Sequence, residues 1–410
     1  MRQKTMAANK VEISSAAQFA QFRDRVNAGE TALDALLTAN IDLSELAENW
    51  TPIGRRERSG PDAFGIRGYG GAFDGGGHTV SGLVTASGEA VPFLDPNGNY
   101  SNAAGLFGVL AEGAVVRNLT ILCPKVNLLA ADLSYSVAGG VAGFSAGTLE
   151  NCRVEGDGVL SGQFSAGGLV GWNIGEIKES AAEGAANITG GSSAGGIAGV
   201  NGGLVARCTA SETAAITAGG NVGGITGVND RGCVAASTAQ GIASISSTAP
   251  YSSVGGIIGH NIGGVVENNT VCEVRAIFAN GYAGGVVGWD AGGNVTNNSV
   301  DEVGSIIADS AAGGVAGVNA GGEISHSAVR GIGKISASIA TGGIVGRNDG
   351  NVANSAAYEV EHIDAGCYAG GVIGLDDGGT MTACTADDAC DVKAGCCAGA
   401  AIGWSFCAAS

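Results

Sequence analysis

The fold is decided by the stretch Ser165-Ala166-Gly167-Gly168-Leu169-Val170-Gly171-Trp172-Asn173, because its centre, Gly-Gly-x-x-Gly, returns along the chain. Nine strict copies begin 28, 28, 28, 32, 29, 29, 29 and 28 residues apart. Their first glycines are Gly139, Gly167, Gly195, Gly223, Gly255, Gly284, Gly313, Gly342 and Gly370. Self-similarity at a fixed period of this length is the signature of a repeat architecture.

Each period holds three short apolar stretches separated by Gly, Asn and Ser. The first stretch is the motif itself. The second is marked by Ile177, Val205, Val234, Val266, Val295, Ile324, Val352 and Met381, and the third by Leu160, Ile188, Ile216, Ile245, Ile277, Ile306, Ile335, Ile363 and Val392. β-Branched segments of three to five residues are too short for helices and are typical of strands. The pattern predicts an all-β fold, a parallel β-solenoid of about ten coils whose like residues stack about 4.8 Å apart.

An Asx residue follows nearly every copy of the motif, and stacked coils place these residues in one column. The column consists of Asn173, Asn201, Asn229, Asn261, Asp290, Asn319, Asn348 and Asp376. We expect it to form a structural ladder in which side-chain amides bond from coil to coil. Asp290 and Asp376 are therefore interpreted as rungs in turns, where Asx residues are favoured, and not as isolated catalytic carboxylates. A second column of Cys, Ser and Asn, from Cys152 to Cys384, is predicted to fill an inward corner.

Composition and charge exclude several classes of protein. Gly contributes 74 of 410 residues and Pro only 6, without the every-third-residue glycine of collagen. Only 14% of residues are charged, which is too few for charge-driven disorder. The net charge is −18, so we expect repulsion from phosphate backbones and no nucleic-acid partner. No apolar run reads as a transmembrane segment, and the start of the chain lacks the apolar core of a signal peptide.

The cysteines and histidines do not form a metal-binding pattern. The chain has 11 Cys, none in a Cys-x-x-Cys pair, and its 4 His are isolated. We therefore predict no metal and no cofactor, with most thiols acting as small apolar groups. Cys367 and Cys396 share one column and should stack as free thiols, with a disulfide as the second choice.

Three regions are predicted along the chain. Residues 1–11 form a disordered segment, 12–138 an N-terminal cap with the first irregular coils, and 139–410 the repeat solenoid. The cap begins with a helix over residues 14–27, started by Ser14 or Ser15, with Phe19, Phe22 and Val26 on one face.

The cap also carries a set of motifs. They are Trp50-Thr51-Pro52-Ile53-Gly54, Phe73-Asp74-Gly75-Gly76-Gly77-His78-Thr79-Val80-Ser81-Gly82-Leu83, Gly105-Leu106-Phe107-Gly108 and Val115-Val116-Arg117-Asn118-Leu119-Thr120-Ile121. With the repeats that follow, this set resembles the GLUG-motif proteins, bacterial surface proteins that include the amino-terminal regions of M26-type immunoglobulin A peptidases. The resemblance implies a right-handed parallel β-helix with a helical cap, secreted or displayed at the cell surface. The His-Glu-x-x-His helix of those peptidases is absent, since no His is followed by Glu.

The function expected from these features is structural or adhesive, not enzymatic. A long regular rod can act as a stalk, or it can bind host or matrix glycans or proteins. Trp172 and Trp289 directly follow the motif in the same column and are the predicted ligand-binding residues if the column faces outward, with buried packing of these rings as the equal alternative. The alternative is a carbohydrate-active enzyme, a polysaccharide lyase or glycoside hydrolase, using Asp349 and Asp377 in turns of adjacent coils. Asp74 and His78 are a weaker acid–base pair, four residues apart in a glycine-rich turn.

Overall fold

A computed structural model describes residues 10–54, 68–129, 135–185, 187–386 and 391–405. It is an all-β protein of parallel stacked coils with one short α-helix near the N terminus, so the predicted solenoid of about 10 coils with a helical cap is confirmed. The right-handed sense of the coil stays a prediction. Residues 1–9 of the segment predicted to be disordered lie outside the described ranges, while Val11 belongs to the first strand.

The N-terminal cap is built around helix α1, Ala16–Asn27. Ser15 is its N-cap, because the Ser15 side chain accepts a hydrogen bond from the amide of Gln18. The predicted face of Phe19 and Phe22 packs on Phe73, with ring centroids 5.6 and 5.9 Å apart. These aromatic rings cover the open end of the first coil, which otherwise has no neighbour against which to bury its apolar side chains.

Two 3₁₀ turns and three sheets complete the described elements. The 3₁₀ turns span Leu43–Glu45 and Ser87–Glu89. Over the described ranges the sheets contain 31, 12 and 11 strands and are named sheets 1, 2 and 3. The strands of sheet 1 are Val11–Ile13, Ala35–Leu37, Ile41–Asp42, Ala72–Asp74, Thr79–Ser81, Val84–Ala86, Val115–Leu122, Lys125–Leu128, Thr148–Glu155, Val159–Gly162, Glu176–Lys178, Ala181–Glu183, Asn187–Gly190, Leu204–Ala206, Thr209–Ser211, Ala215–Ala218, Cys233–Ala235, Thr238–Gln240, Ile245–Ser247, Val265–Glu267, Thr270–Cys272, Ala276–Ala279, Asn294–Thr296, Ser299–Ala308, Glu323–Ser325, Ala328–Ala337, Asn351–Ala353, Ala356–Ala365, Thr380–Thr382, Thr385–Ala386 and Asp391–Ala394.

The other two sheets are formed at the motif. Sheet 2 contains Val91–Leu94, Tyr100–Ala104, Ser136–Gly139, Ser165–Gly167, Ser193–Gly195, Asn221–Gly223, Ser253–Gly255, Tyr282–Gly284, Ala311–Gly313, Ala340–Gly342, Tyr368–Gly370 and Cys397–Gly399. Sheet 3 contains Phe107–Leu110, Ala142–Ser145, Val170–Asn173, Ala198–Asn201, Thr226–Asp230, Ile258–Ile262, Val287–Ala291, Ala316–Ala320, Val345–Asn348, Ile373–Asp376 and Ile402–Ser405. Each coil thus crosses sheet 2, turns at the paired glycines into sheet 3, and returns through sheet 1.

The paired glycines let neighbouring coils approach each other closely. A Cβ on Gly196 would lie 2.1 Å from the carbonyl oxygen of Gly224 in the next coil, so a side chain cannot fit there. A Cβ on Gly199 would lie 2.8 Å from the Ala166 carbonyl oxygen, which shows that the backbones of sheets 2 and 3 are also in contact. The main core lies between sheet 1 and the inner faces of sheets 2 and 3, and is filled by residues such as Ile177 and Ile188.

The predicted inward corner is a column of backbone-to-side-chain hydrogen bonds inside sheet 1. The amide of Cys152 donates to Ser180 Oγ at 3.0 Å, and that of Cys208 donates to Ser237 Oγ at 3.1 Å. Further along, the Ser237 amide donates to Asn269 Oδ1 at 2.9 Å. The column satisfies backbone donors at the bend of the sheet, where strand pairing is interrupted.

One pairing in the described part of the chain departs from the parallel plan. The strands Val91–Leu94 and Tyr100–Ala104 form an antiparallel hairpin at the end of sheet 2. It lies beside the first coil, where the motif is still degenerate, and gives that end of the sheet an extra strand.

Candidate functional site

The Asx ladder is the most regular polar feature of the solenoid. The Nδ2 atom of each Asn donates to the Oδ1 atom of the next rung at 2.7–3.0 Å, for the pairs Asn173–Asn201, Asn201–Asn229, Asn229–Asn261, Asn261–Asp290, Asn319–Asn348 and Asn348–Asp376. Six of these amides also donate to a turn glycine carbonyl, as from Asn201 to Gly203 at 3.1 Å. The rungs are buried and join the turn that leaves sheet 3 to the same turn in the next coil.

The two aspartates of the ladder differ in their second oxygen. Asp376 Oδ2 accepts a hydrogen bond from Ser405 Oγ at 3.2 Å. Asp290 Oδ2 is buried and makes no hydrogen bond. Burial raises the pKa of Asp290 to about 6, although hydrogen bonds from Asn261 and from the Gly293 amide act in the opposite direction. The ladder therefore holds one carboxyl group whose charged form is disfavoured.

The column of Trp172 and Trp289 lies outside the main core, in what we name the outer seam. The outer seam runs along the edge where sheet 2 begins and sheet 3 ends. Its apolar members are Val91, Phe93, Ala103, Val109, Val137, Phe144, Trp172 and Val200 in its first part, and Ala311, Val318, Ala340 and Leu375 with Tyr282, Trp289 and Tyr368 in its second part.

Trp172 is buried in the outer seam, so it presents no free ring face to a ligand. Its side chain is 8% exposed and packs on Phe144 and Phe164, with ring centroids 6.2 and 5.7 Å away. The expectation that its column faces solvent is wrong at this coil. The physical reason is that two aromatic side chains cover the Trp172 ring. Phe144 occupies the same column in the preceding coil, Phe164 lies in the turn that enters sheet 2, and the three rings together exclude water.

Trp289 is only partly buried and lies in an aromatic cluster. Its ring stacks on His260 of the preceding coil at a centroid distance of 5.2 Å and 22° between planes. Tyr282 meets it edge-on at 5.3 Å and 70°. Burial lowers the pKa of His260, so the imidazole stays neutral against the tryptophan at neutral pH.

A lengthened turn lies next to this cluster. The spacing of 32 residues between Gly223 and Gly255 provides it. The turn is held by Asn280, whose Nδ2 donates to the Thr248 carbonyl at 2.6 Å. Tyr251 in this turn is 78% exposed and comes two residues before Ser253, the partner of Tyr282 in sheet 2. We name Tyr251, Tyr282, Trp289 and His260 the aromatic corner.

The two carboxylates of the enzyme alternative stand at equivalent positions of adjacent coils. The pairing of Asn348 with Asp376 places Asp349 beside Asp377 in register. Asp349 is exposed, whereas Asp377 forms an ion pair with Arg347 of the preceding coil. The Arg347 guanidinium engages Asp377 in an ion pair, so this carboxylate is not presented as a free nucleophile. The weaker pair is also separated, because Asp74 binds Arg117 at 3.0 Å while His78 contacts Asn40 at 3.3 Å.

The thiols are free over the described part of the chain. Cys367 and Cys396 stack on adjacent coils, since the Cys396 amide donates to the Cys367 carbonyl at 3.2 Å. Burial raises the pKa of Cys152 to about 12 and that of Cys208 to about 11, which makes these thiols poor nucleophiles. Cys390 and Cys407 lie outside the described residues. Within those residues no three His, Cys, Asp or Glu side chains gather as metal ligands.

A cleft in the cap was not foreseen from the sequence. It has a volume of about 470 Å³ and lies between the segment 43–50, the turn 82–84 and the pair Cys123 and Lys125. Trp50 forms part of its wall but is itself buried, with Nε1 donating to the Leu106 carbonyl at 2.9 Å. The sequence signal was the Asn49-Trp50-Thr51-Pro52 run, which breaks the strand pattern before the first coil.

The site and the fold together define the class: a capped parallel β-solenoid with a buried Asx ladder. No protein family profile matches the chain. No curated protein matches it either. Among solved structures it is similar to a crystal structure from Bacteroides ovatus named a "putative immunoglobulin A1 protease", with 16% identity, a TM-score of 0.40, and coverage of 81% of this chain and 76% of that one. None of the described helices is long and apolar enough to cross a membrane.

Proposed function

We propose that this chain is a structural and adhesive module of an exported bacterial surface protein, which binds host or matrix glycans or proteins at the aromatic corner. The observation that carries the proposal is the partly exposed cluster of Trp289, His260 and Tyr282, next to the turn whose backbone carries the exposed Tyr251. Partly exposed aromatic rings offer an apolar surface on which the apolar face of a sugar can stack. The module is assigned no catalytic step.

The stalk part of the proposal rests on the ladder and the coil spacing. Seven of the eight motif spacings are 28 or 29 residues, so inserted loops do not interrupt the stack from Gly139 to Gly370, apart from the turn of Tyr251. Stacked repeats contact mainly their neighbours, and such arrays form extended rods. A rod of this kind holds the aromatic corner at a fixed distance from each end.

Export and surface display are supported by the resemblance to GLUG-motif proteins and by the net charge of −18. An acidic surface stays soluble and avoids phosphate-rich partners. The expected partners are therefore neutral or basic glycans and proteins.

A glycan and mucin array, with mass spectrometry of anything released, tests the proposal. We expect retention of the wild-type protein on a subset of glycans and loss of that retention in Trp289→Ala and Tyr251→Ala. Tyr100→Ala is the matched control, because Tyr100 is 72% exposed but belongs to the hairpin of the cap. Its binding should equal that of the wild type.

The same array distinguishes the enzyme alternative. Release of oligosaccharide, abolished in Asp349→Asn and Asp377→Asn, would replace the adhesive proposal with a carbohydrate-active enzyme. Retention that survives both corner variants would refute the assignment of the aromatic corner. Absence of both retention and release would leave only the stalk.

A further inference from the structure

The Asx ladder is continuous except at one rung. At each of the six Asn rungs the Nδ2 atom donates to Oδ1 of the next rung and also to a glycine carbonyl of the turn. At Asp290 the corresponding atom is Oδ2, because Oδ1 already accepts from Asn261 at 2.7 Å. The register pairs Asp290 with Asn319, whose Oδ1 accepts from the Gly322 amide at 3.1 Å and, like any amide oxygen, can accept a second hydrogen bond. At an Asn rung the atom directed to the next coil is the donor Nδ2. At Asp290 the atom in that place is Oδ2, an acceptor, and it is directed to another acceptor, the Oδ1 atom of Asn319.

We propose that Asp290 is a proton-binding site, in which the carboxyl group of the folded protein at mildly acidic pH carries a proton on Oδ2 and donates it to Asn319. A proton restores the missing donor and completes the ladder without moving any heavy atom. The bond that forms is O–H on Oδ2, and the proton comes from solvent water or buffer. No other group changes its charge.

The surroundings leave no space for a larger cation. A Cβ built on Gly322 would lie 1.8 Å from Asp290 Oδ2, so the backbone of the next coil closes directly over this oxygen. Asp290 is fully buried and Oδ2 makes no hydrogen bond. A proton is the one ligand that needs no additional volume. Asp376 has no such need, because Ser405 already supplies a donor to its second oxygen.

Neighbouring charges do not provide an alternative partner. The titratable side chains on the strands of sheets 2 and 3 that pack against the strand of Asp290 are His260 and Tyr282, and those on the nearest strands of sheet 1 in the same coils are Glu267 and Glu323. His260 and Tyr282 lie in the aromatic corner, on the opposite face of the strand from Asp290. Glu323 is exposed on sheet 1, and Glu267 ends a strand there. The raised pKa of Asp290, about 6, has burial as its main cause.

The sign of the pH effect follows from the raised pKa. The protonated carboxyl is favoured in the folded state, so this rung contributes its full stability below the unfolded value of 3.8. That contribution is lost as the pH rises through the window from 3.8 to about 6. Above this window the ionised carboxyl should shift the equilibrium between the folded and the opened coil about a hundredfold towards opening, compared with a neutral side chain at this rung. The factor follows from the difference between the two pKa values, because each pKa unit corresponds to a factor of ten.

The test compares wild type with Asp290→Asn by hydrogen exchange of peptides covering residues 287–293 between pH 4 and pH 8, corrected for intrinsic exchange. Subtracting the variant removes the titration of all other carboxylates. We expect equal protection near pH 4 and up to about a hundredfold greater opening of the wild type above pH 7. Peptides at 345–350 are the internal control, and Asp376→Asn is the matched variant, which should show no comparable difference.

Infrared spectroscopy supplies an independent readout of the proton. The difference spectrum of wild type minus Asp290→Asn at pH 5 should contain a carboxylic acid C=O band, whereas the difference spectrum of wild type minus Asp376→Asn should not. A difference in protection that does not change with pH would overturn the proposal. A difference spectrum of wild type minus Asp290→Asn without an acid band at pH 5 would overturn it as well.

Discussion

Replacing Asn201 by Ala should destabilise the solenoid, because the amide of this buried rung makes four hydrogen bonds. The Asn201 side chain accepts from Asn173 at 2.8 Å and from the Gly203 amide at 3.3 Å, and donates to Asn229 at 2.9 Å and to the Gly203 carbonyl at 3.1 Å. Each buried hydrogen bond is worth about 1 kcal/mol net, and partners left unpaired add to the loss. We expect Asn201→Ala to lower the free energy of unfolding by about 3–5 kcal/mol.

The loss should be local, because stability in a repeat array is a sum over coils and their interfaces. Urea denaturation followed by circular dichroism measures the total, and hydrogen exchange shows whether the opened region is confined to the coils around residues 173–232. Asn187→Ala is the matched control, since Asn187 is an exposed strand residue. It should change stability by less than about 0.5 kcal/mol. A cost below about 1 kcal/mol for Asn201→Ala would refute the view that the ladder stabilises the stack.

Three further predictions follow from packing and burial. Trp172→Ala should cost about 3–5 kcal/mol in urea denaturation because it empties a filled part of the outer seam; a cost under 1 kcal/mol would contradict its burial. Gly196→Ala should lower the melting temperature strongly, because its Cβ would lie 2.1 Å from a carbonyl oxygen of the next coil. Gly202→Ala is the control, because its Cβ would lie 3.6 Å from the nearest atom and should be tolerated. Equal melting temperatures of the two variants would be inconsistent with the close approach of the coils at Gly196. In native protein at pH 8, iodoacetamide should modify the exposed Cys123 but not Cys152, whose pKa is about 12; mass spectrometry of the peptides decides this, with urea-unfolded protein as the control.

The stacking of coils could be predicted from the sequence because the period places like residues in columns. The strands at Ile177, Ile188 and the motif were all found within one coil as expected. The Ser15 cap was equally predictable, because helix capping depends on local sequence.

The direction of the Trp172 column could not be predicted in the same way. The period gives the column but not its environment, which depends on how closely sheets 2 and 3 approach each other through their glycines. Burial of Trp172 also depends on Phe144 and Phe164, which lie in other parts of the repeat. The antiparallel hairpin at Val91–Leu94 was missed because the repeat is degenerate there.

The difference between Asp290 and Asp376 depends on the following coil. Both occupy the same column, and both are followed one residue later by a glycine pair. Only the position one coil later distinguishes them, where Asp376 meets Ser405 and Asp290 meets Asn319. The hydrogen bonding of a ladder residue therefore depends on the residue at the same position of the next coil.

Near-identity of the coils has a consequence for folding. Sliding one part of the stack by a whole coil would pair Gly with Gly, Ile with Val and Asn with Asn almost everywhere, at little energetic cost. The irregular parts penalise such slips: the aromatic cap fits only the first coil, and the turn carrying Tyr251 fits only one interval. Folding from the cap towards the carboxyl end would fix the alignment once and pass it on to each coil in turn.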